Sequence, residues 1–84
     1  MGKIVHEYET EYEVGDLVIF KKNGLEIGVI EGYYVDDGYF WFNIRVSPST
    51  VYTYTNQGDI SEDDILGKLN GELGNKCRKY IVGK

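Results

Sequence analysis

The chain has 84 residues and a formal net charge of −5, with 11 glycines, eight tyrosines and one proline. This length predicts a single domain over 1–84, with burial only just sufficient for independent folding. The composition excludes a membrane-spanning helix, and the N-terminus has no signal-peptide pattern. The single cysteine, Cys77, cannot form an internal disulfide, so a reducing cytoplasm is the expected location.

Charge differs sharply between the two parts of the chain. Residues 1–66 contain four basic and thirteen acidic residues, a net charge of −9, whereas residues 67–84 contain five basic and one acidic residue, a net charge of +4. An acidic body repels nucleic-acid phosphates, so an electrostatic signature of nucleic-acid binding is confined to the C-terminal segment.

In chain order, residues 3–13 alternate between charged and less polar side chains, which predicts an edge strand. Four glutamates on such a strand oppose edge-to-edge pairing, and a cation-binding surface is the alternative. His6 has no second histidine or cysteine at ligand spacing, and zinc needs three or four ligands. No metal site is therefore predicted.

Residues 14–46 hold most of the bulky apolar side chains and predict two β-hairpins that share a long central strand. Asn23-Gly24 is the preferred dipeptide of a two-residue type I′ turn. That turn sets the predicted cross-strand pairs Lys22–Leu25, Lys21–Glu26, Phe20–Ile27 and Val18–Val29. Gly28 and Gly32 favour a bend or bulge in the shared strand, as in a sheet that curls into a barrel.

The second hairpin turns at Asp36-Asp37-Gly38. A two-residue Asp37-Gly38 turn places Tyr34 opposite Trp41, whereas a three-residue loop places Tyr33 there. The next strand alternates between a face to be buried and a second, more polar face: Phe40, Phe42, Ile44 and Val46 against Tyr39, Trp41, Asn43 and Arg45. The buried face is expected on the Val29 side, so that one core serves both hairpins.

Three further elements complete the predicted domain. Residues 47–50 form a turn in which Pro48 ends the strand, and the β-branched and aromatic residues 51–55 form a short strand. Ser61 is a good N-cap, and the three acids after it favour one or two helical turns ending at Gly67 or Gly71 rather than a calcium loop. Residues 76–82 are either a closing strand or a mobile basic tail.

Three motifs carry a resemblance to a known fold family. The opening Val14-Gly15-Asp16-Leu17-Val18, the Gly28-Val29-Ile30 of the second strand and the late Ser61-Glu62-Asp63-Asp64-Ile65-Leu66 turn resemble the SH3-like barrel superfamily. The similarity covers residues 14–66 and is greatest to small bacterial and phage domains of KOW or Tudor type. It implies an all-β, five-stranded, strongly bent antiparallel barrel with one short helical turn, no catalysis and no cofactor. Members bind RNA, ribosomal components, methylated lysine or proline-rich peptides, so the ligand stays open.

A Tudor-type site, matched by position, draws on aromatic side chains near the turns of strands two, three and four. In this chain those rings are Tyr33, Tyr34, Tyr39, Trp41, Tyr52 and Tyr54. Three or four of these rings converging beside Asp36 or Asp37 would attract a cation by ring quadrupole and charge. Two alternatives are a proline-rich-peptide groove built from the same rings, and tyrosines that only cover the outside of the barrel.

The sequence gives no support to an enzyme. It contains no Ser-His or Cys-His pair and no glycine-rich phosphate loop. Cys77 lies among basic neighbours, but its one candidate base, His6, is far away in the sequence, so a nucleophilic role is not expected.

Three hypotheses about function follow from these residues. The first is a protein- or peptide-binding module that uses the Tyr34, Tyr39 and Trp41 face and prefers a basic partner. The second is a nucleic-acid-associated module in which Lys76, Arg78 and Lys79 contact phosphate while Trp41 or Tyr39 stacks on a base. The third is a structural role in self-association through the aromatic patch or the edge strands.

Overall fold

The computed structural model describes residues 10–53 and 60–83, and Tyr54 and His6 lie outside this part. The described chain is mainly β, with one antiparallel sheet of six strands and one helix. The elements are β1 (Leu17–Lys21), β2 (Leu25–Asp36), β3 (Tyr39–Ser47), β4 (Thr50–Tyr52), β5 (Ile60–Ser61), β6 (Ile65–Lys68) and α1 (Gly71–Val82). Residues 10–13 of the predicted N-terminal strand have no regular structure, and the rest of that strand lies outside the described residues.

The strands follow the order β4-β3-β2-β1-β6, and β5 pairs with β3. Over the described residues this path stays open, so the sheet is not closed into a barrel. Across this open sheet, the Tyr52 ring of β4 packs edge-on against Phe20 of β1, a strand that is not its neighbour, with ring centroids 6.1 Å apart. Tyr52 also donates a hydrogen bond of 3.0 Å to Glu26 of β2.

The first hairpin corrects the predicted register by one residue. Asn23 and Gly24 both have positive φ, at 65° and 119°, as expected for this dipeptide. Lys22 joins them in the loop, where its N–H donates to the Gly24 carbonyl at 2.8 Å. A three-residue loop shifts every pair, so the observed partners are Lys21–Leu25, Phe20–Glu26, Ile19–Ile27, Val18–Gly28 and Leu17–Val29.

The second hairpin has the predicted two-residue turn. Asp37 and Gly38 have φ of 59° and 82°, and Tyr34 lies opposite Trp41. Further back along β2 the register shifts at Glu31, so that Ile30 pairs with Ile44 but Gly32 pairs with Asn43. This irregularity bends the hairpin and lets its two halves present different residues to the core.

The main core lies on one face of the sheet. Its buried members are Tyr12, Val18, Phe20, Ile30, Phe40, Phe42, Ile44, Ile60 and Ile65, and Val46 packs against them. The predicted burial of alternate residues in β3 is confirmed. The expectation that Val29 shares this core is wrong, because the shifted first register pairs Val29 with Leu17 on the opposite face.

Helix α1 covers that opposite face and corrects the predicted C-terminal strand or tail. Ile81 packs with Leu17 and Val29, and Cys77 lies beside them. Gly74 is buried, and a Cβ there would lie 2.8 Å from the Leu69 carbonyl oxygen. The positions 74, 77 and 81 recur at helical spacing, so tertiary contact with the sheet stabilises a segment whose glycines disfavour a helix.

The helical turn predicted after Ser61 is present but short. It is a 3₁₀ turn over Glu62–Asp64, where the Ser61 N–H donates to the Asp64 carboxylate at 3.0 Å. Instead of continuing to Gly67 or Gly71, the chain enters β6 and pairs Lys68 with Val18 of β1.

Candidate functional site

The β2–β3 hairpin brings four of the predicted site residues onto one side of the sheet. Tyr34 pairs with Trp41 and Asp36 pairs with Tyr39. Directly opposed residues share a face, and positions two apart in a strand also share a face. Tyr34, Asp36, Tyr39 and Trp41 therefore form one surface, called the hairpin aromatic face below.

The rings of this face differ in how much solvent they meet. Tyr39 is 54% exposed, whereas Tyr34 and Trp41 are half-buried. The Tyr39 and Trp41 ring centroids are 6.3 Å apart at an interplanar angle of 59°, a tilted pair. The Tyr34 hydroxyl oxygen and the Trp41 indole nitrogen are buried. Tyr39 is thus the ring most accessible to a partner, with Trp41 as its support.

Carboxylates border the accessible ring. Asp36 and Asp37 are both exposed, and Asp36 lies directly opposite Tyr39. In the described part of the chain, neither carboxylate is in an ion pair. The ion pairs there join Arg45 to Glu31 and Lys68 to Asp16. The tip of the hairpin therefore presents two negative charges beside an aromatic ring.

Other predicted ring residues lie elsewhere. Tyr33 is on the core side of the same hairpin, with its ring centroid 5.5 Å from that of Phe40 and 6.1 Å from that of Phe42. Tyr52 lies in β4. Its hydrogen bond to Glu26 is the main cause of a raised phenol pKa, and burial is the second cause. Of the six candidate rings, three share one face with Asp36, two lie elsewhere, and Tyr54 lies outside the described residues.

The predicted basic trio does not form one patch either. Lys76 and Lys79 are exposed and three residues apart in α1, which places them on neighbouring parts of the helix surface. Arg78 is half-buried and lies about 200° around the helix from Lys76, at about 100° per residue. Tyr80, which the sequence reasoning missed, lies one turn after Lys76 and is 83% exposed. The signal that could have found it is the four-residue spacing from Lys76, which has meaning only on a helix.

Within the described ranges, no three residues among His, Cys, Asp and Glu are grouped so that they could hold a metal ion. Helix α1 is too short and too polar to cross a bilayer, and no other described helix could do so. Cys77 is half-buried where α1 meets the sheet.

Comparison with known proteins gives no relative: no family model matches the chain, and neither does any curated protein or solved structure. Inference about function therefore starts from the geometry of the hairpin aromatic face and of the exposed side of helix α1.

Proposed function

We propose that this protein is a non-enzymatic binding module that recognises a basic protein or peptide through the hairpin aromatic face. The observation that carries the proposal is the exposed Tyr39 ring, supported by Trp41 and directly opposite the Asp36 carboxylate.

The chemistry of this face suits a lysine or arginine side chain. A cation over an aromatic ring gains about 0.5–1 kcal/mol at an exposed site and more where it is desolvated. The Asp36 and Asp37 carboxylates add Coulomb attraction, which salt weakens because both are exposed. The net charge of −9 over residues 1–66 also steers a basic partner toward this part of the molecule.

The proposal includes the SH3-like barrel as the fold type, in a cytoplasmic protein of bacterial or phage origin. In support, a five-membered strand path runs β4-β3-β2-β1-β6, and a 3₁₀ turn leads into the strand that pairs with β1. The Tyr52 contacts with Phe20 and Glu26 draw β4 over the core toward β1 and β2. In the proposed description, the short β5 is an addition to this five-stranded arrangement.

Trp41 is the only tryptophan, so its fluorescence reports on the proposed site directly. We expect a lysine- and arginine-rich peptide to change this fluorescence at low salt, with affinity falling as salt rises. Tyr39→Ala should weaken binding about fivefold, because it removes the accessible ring, and Asp36→Asn should weaken it less.

Two matched variants control for indirect effects. Tyr33→Ala removes a ring of similar exposure from the opposite side of the same hairpin, and Asp63→Asn neutralises an exposed carboxylate in the 3₁₀ turn. Both should retain wild-type affinity. Unchanged affinity in a folded Tyr39→Ala variant, or equal loss in Tyr33→Ala, would contradict the proposed site.

A further inference from the structure

Helix α1 carries a second aromatic and basic surface that is distinct from the hairpin aromatic face. Lys79 and Tyr80 lie three and four residues after Lys76, so both side chains neighbour that of Lys76 on the helix. They line a groove together with Gly83, which has no side chain to fill it. These three side chains are called the α1 surface below.

The α1 surface points away from the part of the helix that holds it to the sheet. Gly74 and Ile81 are the buried residues of α1, whereas Tyr80 is 83% exposed. Lysine near the end of a helix is favoured by the helix dipole, which accounts for Lys79 without any ligand. The dipole does not account for a large aromatic ring left in solvent one turn after Lys76.

The combination of flexible cations and an exposed ring fits a particular class of ligand. Proteins bind single-stranded nucleic acid with basic side chains that contact phosphates and aromatic rings on which bases stack. A duplex hides its bases in a continuous stack, so an exposed ring gains less from it. The α1 surface is small, and the acidic remainder of the chain repels flanking phosphates, which favours a short unpaired segment.

We propose that the α1 surface binds single-stranded nucleic acid, with Lys76 and Lys79 each contacting a phosphate and one base stacked on Tyr80. Glu72 lies one turn before Lys76 and weakens the local positive potential. Arg78, half-buried and on another side of the helix, is not part of the site. This site does not depend on the proposed peptide-binding function.

The test uses the full chain and a short dye-labelled oligothymidylate, with fluorescence anisotropy measured at several salt concentrations. Two phosphate contacts predict a slope of about −1.4 for the logarithm of the affinity against the logarithm of the salt concentration. Tyr80→Ala should weaken binding about tenfold, Tyr80→Phe should preserve it, and Glu72→Gln should strengthen it.

Charge controls separate a local site from a general electrostatic effect. The double variant K76Q/K79Q should lose most of the binding. K21Q/K22Q makes the same change in net charge at the first hairpin and should retain wild-type affinity. A duplex of the same length and an oligoglutamate of similar charge should both compete poorly.

Three results would overturn this inference: no binding at low salt, full affinity in folded Tyr80→Ala, or equal competition by duplex or oligoglutamate. Tyr39→Ala distinguishes the two proposals. It should leave oligothymidylate binding intact while weakening the basic peptide, and Tyr80→Ala should do the reverse.

Discussion

Gly28 is the residue at which β2 has least room for a side chain. A Cβ there would meet the Ile44 side chain and lie 2.7 Å from the Arg45 carbonyl oxygen in the neighbouring strand. Its φ is not in the left-handed region, so the requirement for glycine is one of space rather than of backbone conformation. The sequence suggested a bend at this position. The close approach of the β3 backbone is the physical reason for the glycine.

Gly28→Ala should therefore destabilise the protein by about 2–3 kcal/mol, because overpacking against backbone cannot be relieved by a side-chain rotation. Gly32→Ala is the matched control in the same strand, since its Cβ would meet only the Asn43 amide nitrogen, at an ordinary 3.5 Å. Urea unfolding measures both free energies of unfolding. Similar free energies of unfolding for the two variants would contradict this account. The contact with β3 would then not be the cause of the effect of Gly28→Ala, which would reflect the replacement of any glycine in a strand.

The two turn dipeptides show how far residue chemistry alone predicts the fold. Asn23-Gly24 and Asp37-Gly38 both adopt the positive φ that their composition favours. Only the second closes a two-residue loop, and its register and faces were predicted correctly. The first takes in Lys22 as well. The sequence does not distinguish these loop lengths, because an Asn-Gly or Asp-Gly dipeptide occurs in both.

At the scale of elements, one side chain connects strands that are not neighbours in the sheet. Tyr52 of β4 reaches Phe20 of β1 and Glu26 of β2 across the concave side. The aromatic and β-branched composition of 51–55 predicted a strand, and Thr50–Tyr52 confirms its start. The link itself was not predictable, because it depends on the curvature of the whole sheet.

This link predicts how stability depends on alkaline pH. The hydrogen bond to Glu26, with burial, raises the pKa of Tyr52 above the 10.0 of a free phenol, so the folded chain holds this proton more tightly than the unfolded chain. The contribution is complete below the unfolded-state pKa and is lost as pH rises through the folded-state pKa. Stability should fall above about pH 10, and less steeply in Tyr52→Phe.

Urea unfolding between neutral and strongly alkaline pH measures this dependence. Glu26→Gln should also flatten it, because the charged acceptor that raises the pKa is removed. Tyr80→Phe removes a phenol from an exposed position and serves as the control. If Tyr52→Phe lost as much stability at alkaline pH as the wild type, the loss would originate at another group. Tyr12 is an example, since its pKa is raised mainly by burial.

Helix α1 is the element that sequence reasoning missed. Gly74 disfavours a helix by about 1 kcal/mol relative to alanine, and basic residues dominate the segment after it. What stabilises the helix is a surface that the sequence does not display, the Leu17 and Val29 side chains on the outer face of the sheet. The first-hairpin register creates that surface, so an error of one residue there concealed the reason for the helix. In the helix, Tyr80 rather than Arg78 lies beside Lys76, so the set of candidate nucleic-acid-binding residues also differs from the predicted one.

At the scale of the molecule, a single sheet separates two apolar clusters of unequal size. The larger cluster involves Tyr12 and buried residues of five strands, with Tyr52 of β4 packed against it, and the smaller one joins Ile81 of α1 to Leu17 and Val29. An opening that only undocks α1 exposes the smaller cluster alone. Such a partial opening requires less free energy than global unfolding. The α1 surface is thus carried by the less stable part of the molecule, and the hairpin aromatic face by the more stable part.

Native-state hydrogen exchange tests this arrangement with one substitution made on each side of the sheet. Ile81→Val breaks contacts that are lost in both openings, so it should lower the exchange free energies of α1 and of β2–β3 by the same amount, about 1 kcal/mol. Ile44→Val, at a residue with 0% exposure in the larger cluster, should lower only the value for β2–β3, because its contacts survive when α1 undocks. If Ile44→Val lowered both values equally, α1 and the sheet would open as one unit. Because both openings undock α1, a ligand bound at the α1 surface should raise the exchange free energies of α1 and of β2–β3 alike, just as the Ile81 contacts do.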